Sequence, residues 1–243
     1  LALPFPQGVV FGHEIYGEVA AVGPAVSDVK PGDRVIVYPW VGCGACELCR
    51  GGLEHVCQSG LMIGGGQNPG GFGDHVLVPH ERYCVAAEGI EPAQAGSLAC
   101  SGLTSFGAIK RIPNLGPHSR VVVIGAGGLG IMGIGILSRV FGVSPIVVDV
   151  DEGKLAAARA AGAGQVVDGR GPDVLMKLME LTGGGADAAI DFVGSEHTAP
   201  LAFHALRVGG KAIMVGLFGG TLKIPAALVA MQLKSIEGSN VGT

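Results

Sequence analysis

Charged residues are scarce in this sequence of 243 residues, at 15%, whereas an ordinary soluble domain carries about 25%. The formal net charge is −4, and the 16 Lys and Arg residues are scattered along the chain. Because binding to a phosphate backbone needs clustered cations, this composition argues against a disordered polyelectrolyte and against a nucleic-acid partner. Apolar residues make up 48% of the chain, which is enough for a sizeable core and for two domains.

Neither a membrane segment nor a signal peptide is expected from this sequence. The uncharged run at 121–138 has about the length of a transmembrane helix. Its six glycines would make a uniform helix costly, so we expect no membrane partner. The first eight residues contain no basic region and no small-residue cleavage site, so no signal peptide is expected. Because the chain does not begin with Met, it is expected to be a segment of a longer one.

The hydrophobic pattern changes near Gly102. Before it, short strand-like runs at 15–22, 34–38, 74–78 and 83–86 are joined by turn residues, as in a small barrel. After it, strands and helices alternate, which is typical of βαβ units in a parallel sheet. The predicted strands are 121–124, 145–150, 165–168, 186–193, 211–217 and 235–241, and the predicted helices are 128–140, 152–161, 172–181 and 199–206. The sequence predicts an α/β protein with a β-rich domain over 1–102 and a doubly wound parallel-sheet domain over 103–243.

A glycine-rich turn follows the first predicted strand of the second domain. It fits the pattern G-x-G-x-x-G between a strand and a helix, and the residues that would contact a pyrophosphate are Gly125, Gly127, Gly128, Leu129 and Gly130. The first glycine permits a sharp turn, the second lets the backbone approach the pyrophosphate, and the third lets the helix lie close to the strand. The alternative is a glycine-rich turn without a ligand.

An acidic residue ends the next predicted strand, at the distance that a dinucleotide site requires. Asp149 lies nineteen positions after Gly130 and follows Ile-Val-Val, so its carboxylate could accept a hydrogen bond from a ribose hydroxyl. The same carboxylate would repel a 2′-phosphate, and Val150 offers no cation to offset that repulsion. The pair of motifs therefore predicts a bound dinucleotide and favours NAD over NADP; the alternative is a solvated carboxylate at a strand end.

Four of the six cysteines lie within fifteen positions, at Cys43, Cys46, Cys49 and Cys57. Four thiolates without an open position suit a structural tetrahedral zinc. This segment contains few large apolar residues, so metal binding would supply its folding free energy. A redox or iron–sulfur role and inert thiols are the alternatives; a redox pair is expected to cap a helix after a strand, which these pairs are not predicted to do. The cysteines favour a reducing compartment.

Four motifs together resemble the zinc-dependent medium-chain dehydrogenases of the alcohol dehydrogenase type. They are Gly12-His-Glu14 with Gly17-Glu-Val19, Lys30-Pro-Gly-Asp-Arg-Val35, the four-cysteine segment, and Cys100-Ser-Gly-Leu-Thr104 ahead of the glycine turn. The resemblance covers the whole chain. It implies that residues 1–102 form a catalytic GroES-like barrel domain, which is incomplete, and that residues 103–243 form an NAD-binding Rossmann domain.

The resemblance also implies roles for individual residues. His13 and Cys100 match ligands of a catalytic zinc, and Glu14 matches an acid behind that zinc that can become a transient ligand. Taken singly, His13 and Cys100 would be interpreted as a core histidine and a small buried side chain. The residues expected around the nicotinamide or the adenosine ribose are Thr104, Asp149, Lys154, Val193 and Val215. Trp40 is the only bulky residue that we nominate near the substrate.

The first zinc cysteine and the hydroxyl residue of the family's proton relay align upstream of Leu1, and the family continues past Thr243. We therefore expect a segment of a zinc-dependent oxidoreductase. It would transfer hydride between NAD and an alcohol, aldehyde or ketone in the cytoplasm, as a homodimer or homotetramer. The alternative is a non-catalytic nucleotide-binding protein of the same fold that retains only the structural zinc. A zinc-ribbon interaction module is disfavoured by the acidic balance of the cysteine segment.

Overall fold

The computed structural model describes residues 8–66 and 68–242. The chain divides into two compact units between Leu103 and Thr104, and each unit is described separately below. Residues 1–7, on which the expectation about a signal peptide depends, lie outside the described residues. No described helix has both the length and the apolar character needed to cross a bilayer. The uncharged run at 121–138 is instead shared between a strand and a helix, as the glycine-turn interpretation predicts.

The first unit contains a three-stranded antiparallel sheet and a separate two-stranded ribbon. Its strands are β1 (Ile15–Glu18), β2 (Arg34–Val37), β3 (Trp40–Val41), β4 (Leu61–Met62) and β5 (Cys84–Ala86). The sheet order is β1-β2-β5, and β3 pairs with β4. A small core of Ile15, Val37, Val41, Ile63 and Tyr83 lies between these elements.

One strand predicted in this unit is absent. Residues 74–78 alternate in hydrophobicity but belong to no strand. Val76 and Val78 are nevertheless half-buried against the small core. The alternation therefore indicates which side chains pack against the core, but the backbone of this stretch does not pair with a neighbouring strand.

Helical segments of the first unit are short. They are α1 (Glu47–Arg50), 3₁₀ turns at Glu54–Val56 and Glu81–Tyr83, α2 (Pro92–Ser97), a π-helical turn at Leu98–Gly102, and the start of α3 (Leu103–Ile109). The π-turn lies between α2 and α3 and carries Cys100. Single π-turns within helices are rare and are frequent at functional sites.

The second unit is built on six parallel strands with helices between them. They are β6 (Val121–Ile124), β7 (Ile146–Asp149), β8 (Gln165–Asp168), β9 (Ala186–Asp191), β10 (Leu206–Met214) and β11 (Ser235–Gly238), and the helices are α4 (Gly128–Phe141), α5 (Glu152–Ala161), α6 (Val174–Leu181), α7 (Thr198–His204) and α8 (Ala226–Met231). The strand order is β11-β10-β9-β6-β7-β8, so the direction of winding reverses beside β6. In such sheets ligands bind outside the carboxyl ends of the strands at this reversal.

Both faces of the sheet are covered, which explains the continuous apolar run of β6. Val121 and Val123 join one core cluster with Ile134 and Leu137, while Val122 and Ile124 join the other cluster with Phe203. All four residues of β6 are buried. Because successive strand residues point to opposite faces, only a strand buried on both sides needs four apolar residues in succession.

The predicted alternation of strands and helices is confirmed, with differences at the ends of elements. The helix at 152–161 has the predicted bounds and ends at Gly162, which adopts φ of +117°. Strand β10 begins five residues earlier than predicted, because Leu206 already pairs with Ala186 before an irregular stretch of the ladder. The predicted last strand stops at Gly238, beyond which Ser239 N donates to Met214 O at 2.9 Å.

Glu237 on β11 is held by two cations, and this predicts a pH-dependent stability. Its carboxylate pairs with Lys211 Nζ at 2.7 Å and with Arg111, and these two partners lower its pKa. A carboxyl group with a lowered folded pKa stabilises the protein above its ordinary pKa, and this contribution disappears as the pH falls through the folded value. Glu237→Gln should lower the free energy of unfolding by about 0.5–1 kcal/mol at pH 7, and this loss should shrink as the pH falls below the ordinary range of a glutamate pKa. Urea unfolding at a series of pH values measures this, with the exposed Glu180→Gln as control; an equal loss at every pH value would contradict it.

Candidate functional site

The four cysteines predicted to bind zinc converge in the first unit. Their sulfurs all lie within 4.8 Å of one another. The sulfur of Cys46 is 3.5 Å from that of Cys49 and 3.8 Å from that of Cys57, and the sulfurs of Cys43 and Cys49 are 3.9 Å apart. Four sulfurs bound at about 2.3 Å to one tetrahedral ion would lie about 3.8 Å from each other. The four sulfurs therefore fit a structural zinc. We call the segment 43–57 that carries them the four-cysteine lobe.

Local backbone structure brings these sulfurs together. The sulfur of Cys46 accepts a hydrogen bond from Cys49 N at the start of α1, and the sulfur of Cys43 accepts one from Cys46 N at 3.4 Å. Cys57 follows the 3₁₀ turn, and its sulfur accepts from Cys43 N at 3.5 Å. The sequence-based premise that no cysteine of the pairs caps a helix is wrong, because Cys46 is the N-cap of α1. The structural interpretation stands on the convergence of all four sulfurs, whereas a redox pair needs only two.

Two cysteines of the lobe, Cys43 and Cys49, have pKa values shifted in opposite directions. Backbone N–H groups of Ala45 and Cys46 lower the pKa of Cys43 to about 6. Burial raises the pKa of Cys49 to about 12. Hydrogen bonds from N–H groups favour a thiolate, and desolvation opposes one unless a cation is present. The exposed Cys43 is therefore stabilised as a thiolate by the backbone, whereas the buried Cys49 needs a bound cation to become a thiolate.

The glycine turn of the second unit borders a groove of about 450 Å³. Gly125 adopts φ of +92°, and a Cβ on Gly130 would lie 1.9 Å from the Gly125 carbonyl oxygen. These two positions have the tight-turn and close-packing roles that the motif predicts. The groove brings together eight of the predicted cofactor residues, which are Gly125, Gly127, Gly128, Leu129, Gly130, Asp149, Lys154 and Val193. The other two predicted residues, Thr104 and Val215, are both buried and do not line it.

Asp149 also holds the glycine turn in place. Its Oδ2 accepts a hydrogen bond from Ala126 N at 2.7 Å, and its Oδ1 accepts one from Asp151 N at 2.9 Å. Each carboxylate oxygen has a second lone pair, so the group can still accept from a ribose hydroxyl. One side chain therefore connects the end of β7 to the turn after β6.

Part of the groove wall was not predicted from the sequence. Phe192, Leu217 and Phe218 line the groove, and Leu217 and Phe218 are 92% and 82% exposed. Asp191 was not predicted either; it is fully buried, and its Oδ1 accepts from Val193 N at 2.9 Å and from Gly194 N at 3.0 Å. The sequence does contain a signal for these residues, because each of them ends or follows one of the strands β9 and β10. The carboxyl ends of parallel strands form the edge of the sheet where ligands bind.

The residues predicted to hold a catalytic zinc lie in the first unit. His13 precedes β1, and its ring contacts Trp40 with centroids 5.9 Å apart and planes at 68°. Glu14 Oε1 accepts hydrogen bonds from Ser101 N at 3.1 Å and from Ser101 Oγ at 2.8 Å. The structure thus ties Glu14 to the neighbour of Cys100, a link that the sequence does not reveal.

These residues do not form a complete ligand set by themselves. Among the described residues, the four-cysteine lobe is the only group of three or more His, Cys, Asp or Glu side chains whose ligand atoms all lie within 4.8 Å. The ligand atoms of His13, Glu14 and Cys100 are therefore not all gathered within that distance. An imidazole and a thiolate are suitable donors for a zinc with an open position, and their assignment to a catalytic zinc stays a prediction.

The four cysteines of the first unit fit a structural zinc, and the groove of the second unit fits a dinucleotide. These two sites are typical of a class of proteins that depend on zinc and a nucleotide cofactor. Comparison with family models agrees: residues 1–89 match the alcohol dehydrogenase GroES-like domain, and residues 128–243 match the zinc-binding dehydrogenase domain. An NAD-dependent alcohol dehydrogenase of Sulfurisphaera tokodaii is 41% identical over 236 residues, which are 96% of this chain and 67% of the relative. The chain belongs to the zinc-dependent, medium-chain alcohol dehydrogenase family.

Other relatives agree with this assignment. An NAD-dependent alcohol dehydrogenase of Saccharolobus solfataricus is 39% identical over 96% of this chain and 67% of the relative. Among solved structures, the D-arabinose dehydrogenase from Sulfolobus solfataricus has a TM-score of 0.90 at 32% identity, covering 98% of this chain and 74% of its own. The alcohol dehydrogenase from Aeropyrum pernix has a TM-score of 0.86 at 34% identity, covering 97% and 69%. The predicted family and fold class are confirmed.

Zinc in the lobe is tested by removing one sulfur. Cys57→Ser should lower the zinc content of the purified protein by one ion per chain, because a hydroxyl is a poor replacement for a thiolate ligand. The lobe should then become sensitive to proteolysis, since metal binding orders it. Elemental analysis and limited digestion measure both effects. Cys84→Ser, outside the lobe, is the control, and an unchanged zinc content in Cys57→Ser would rule out the site.

Cofactor preference is tested at the end of β7. Asp149→Ser should weaken NAD binding about tenfold and narrow the difference between NAD and NADP, because it removes both the ribose acceptor and the charge that repels a 2′-phosphate. Titration calorimetry with each cofactor gives the two dissociation constants. Asp168→Asn, at the end of the next strand, is the matched control because that carboxylate pairs with Arg170. If both variants bind the two cofactors as the unchanged protein does, the role of Asp149 is wrong.

Proposed function

We propose that this protein is a zinc-dependent oxidoreductase that transfers hydride between NAD and an alcohol, aldehyde or ketone. The observation that carries the proposal is the groove in which the glycine turn and Asp149 meet. Support comes from the four-cysteine lobe and from relatives about 40% identical over most of the chain that are NAD-dependent alcohol dehydrogenases. The small-molecule substrate is thus an alcohol or its carbonyl product.

In this proposal the second unit binds the dinucleotide. The first turn of α4 offers backbone N–H groups that have no partner within the helix, and these would hold the pyrophosphate beside Gly127, Gly128 and Leu129. Asp149 would accept from the adenosine ribose, and Lys154, which also lines the groove, would contact the same ribose. Val193 would contact the nicotinamide, and Thr104 and Val215 are proposed near the same ring.

The first unit would supply the catalytic metal ligands. His13 and Cys100 would hold the ion, and Glu14 would be a transient ligand or would orient the others through its contact with Ser101. The chemistry supplied by the bound groups would be a zinc that lowers the pKa of the alcohol hydroxyl and a nicotinamide that takes up the hydride from the alcohol carbon. The chain itself contributes the placement of these groups and the exclusion of water from them. We accordingly propose residues 1–102 as the catalytic domain and residues 103–243 as the NAD-binding domain.

Assembly and location are further parts of the proposal. Strand β11 is an edge of the six-stranded sheet and Ile236 on it is 39% exposed, which supports a homodimer or homotetramer that pairs near 235–241. Four of the six cysteines converge in the four-cysteine lobe as metal ligands rather than in a disulfide framework, which supports a reducing, cytoplasmic location. The net charge of −4 supports the absence of a nucleic-acid partner, and the glycine-interrupted run at 121–138 supports the absence of a membrane partner.

A second candidate function is a nucleotide-binding protein without catalysis that retains only the lobe zinc. The specific observation in its favour is that the four-cysteine lobe alone, among the described residues, brings three or more potential ligands within 4.8 Å. The two candidates differ in zinc content, at two ions per chain for the enzyme and one for the alternative.

Catalysis is tested on the purified full-length protein with a panel of primary and secondary alcohols. We expect zinc-dependent NADH formation, followed by absorbance, and two zinc ions per chain. His13→Ala should remove one zinc and lower kcat by about a hundredfold or more, because it removes a ligand of the catalytic ion. NAD binding should be retained, since the dinucleotide groove lies in the second unit. The exposed His118→Ala is the control. One zinc per chain, no turnover and an indifferent His13→Ala variant would establish the second candidate instead.

A further inference from the structure

Three aromatic side chains connect His13 to the interior of the first unit. The rings of His13 and Trp40 meet edge to face with centroids 5.9 Å apart. Trp40 and Tyr38 meet in the same way at 5.7 Å and 65°, and Tyr38 stacks on Tyr83 at 6.1 Å and 13°. We call Trp40, Tyr38 and Tyr83 the aromatic ladder. Each of these arrangements is one that aromatic pairs prefer, so the rings restrict one another's orientation.

The far end of the ladder is fastened to the four-cysteine lobe. Tyr83 is 3% exposed, and its hydroxyl donates a hydrogen bond to Glu54 Oε2 at 2.8 Å. Glu54 begins the 3₁₀ turn that leads to Cys57, and Cys57 N donates to Glu54 O at 3.1 Å. Arg82 pairs with the same carboxylate at 3.4 Å. Glu54 therefore connects the last cysteine of the lobe to the last ring of the ladder.

The near end of the ladder is joined to the lobe by the backbone. Trp40 and Val41 form β3, and Cys43 follows after Gly42. The space at Gly42 is closed by the lobe, since a Cβ there would lie 2.7 Å from Cys49 Sγ and 2.9 Å from Glu54 Cβ. Both ends of the lobe thus contact the ladder, one through β3 and one through Glu54. When the lobe is ordered, the rings are held at two points.

His13 itself lies outside the helices and strands. The residues before it, Val10–Gly12, are held to 70–72 by three backbone hydrogen bonds of 2.8 to 2.9 Å. These bonds fix the backbone and leave the direction of the imidazole to its ring contacts. Trp40 is the aromatic contact on the imidazole among the described residues.

We propose that the aromatic ladder is a positioning device that makes the orientation of the His13 imidazole depend on the ordered state of the four-cysteine lobe. Trp40, Tyr38, Tyr83 and Glu54 are then positioning residues that act on the reaction through His13. The consequence for catalysis rests on the proposed function, whereas the placement of the ring does not. In this view the structural ion stabilises the lobe and also prepares the ligand of the catalytic ion.

The connection between the four-cysteine lobe and the aromatic ladder is tested by substitution of Glu54, which lies at the opposite end of the ladder from His13. Glu54→Ala removes the nearer acceptor of the Tyr83 hydroxyl, at 2.8 Å, leaves the carbonyl oxygen of Gly42 at 3.4 Å, and leaves all four cysteines in place. Glu54→Gln retains an acceptor oxygen at the same position. Glu47→Ala removes an exposed carboxylate of the same lobe, in the first turn of α1, and is the matched control. Elemental analysis first establishes that each zinc-loaded variant retains its lobe zinc. Should Glu54→Ala lose it, Tyr83→Phe replaces that variant, because it removes the same hydrogen bond and keeps the ring.

Two spectroscopic measurements report on the ladder without requiring turnover. Trp40 is the only tryptophan in the chain, so the emission spectrum of the protein reports its surroundings. The ring-proton resonance of His13, identified by its absence in His13→Asn, reports the position of the imidazole over Trp40. Steady-state kinetics with NAD and an alcohol add kcat and KM.

We expect Glu54→Ala to shift both spectra and to lower kcat about three- to tenfold, the range corresponding to one aromatic contact, with the KM for NAD unchanged. Glu54→Gln and Glu47→Ala should resemble the unchanged protein. Unaltered spectra in Glu54→Ala with lobe zinc retained would overturn the proposal, as would equal shifts in Glu47→Ala or a failure of Glu54→Gln to restore them. Absence of turnover in the unchanged protein would contradict the proposed function only, because the spectra still decide on the ladder.

Discussion

Close contact between the first and last glycines of the turn after β6 is the constraint on which the second unit depends. A methyl group on Gly130 would overlap the carbonyl oxygen of Gly125. Because glycine has no side chain, α4 can begin close to the end of β6. Asp149 then holds the turn from the neighbouring strand through Ala126 N. Since β6 lies where the winding of the sheet reverses, this compact turn comes to the place where parallel sheets bind ligands. The groove is thus a result of backbone packing before any side chain recognises a cofactor.

Local patterns determined how much could be predicted from the sequence. The alternation in the second unit was predictable because β6 is buried on both faces and α5 ends at a glycine with positive φ. The four-cysteine lobe was predictable because all its ligands lie within one short segment. Contacts between distant segments were not: the Glu14–Ser101 hydrogen bonds join positions 87 residues apart, and the groove wall at Phe192 and Phe218 comes from the segments that follow β9 and β10. Residues 74–78 show the opposite error, because alternation predicted a strand where only side-chain packing exists.

Loop-closure entropy distinguishes the two predicted zinc sites of the first unit. The lobe closes around fifteen positions and its backbone N–H groups, among them those of Cys43, Cys46 and Cys49, donate hydrogen bonds to sulfur, so little additional order is needed to assemble its ligands. His13 and Cys100 are far apart in sequence, and each depends on a different element, an irregular segment and a π-turn. A site of this second kind must obtain its geometry from surrounding packing. The aromatic ladder beside His13 and the carboxylate of Glu14 beside Ser101 are the packing that the structure provides.

The cap of α1 has a consequence for how the lobe fails. A helix of four residues has almost no intrinsic stability, and the sulfur of Cys46 both accepts a hydrogen bond from the free N–H of Cys49 in that helix and belongs to the metal cluster. Chemical modification of that one atom, by an oxidant or an alkylating agent, would remove a metal ligand and the helix cap in the same event. Damage to the lobe should therefore be abrupt rather than gradual, with no intermediate in which the helix survives without its ion.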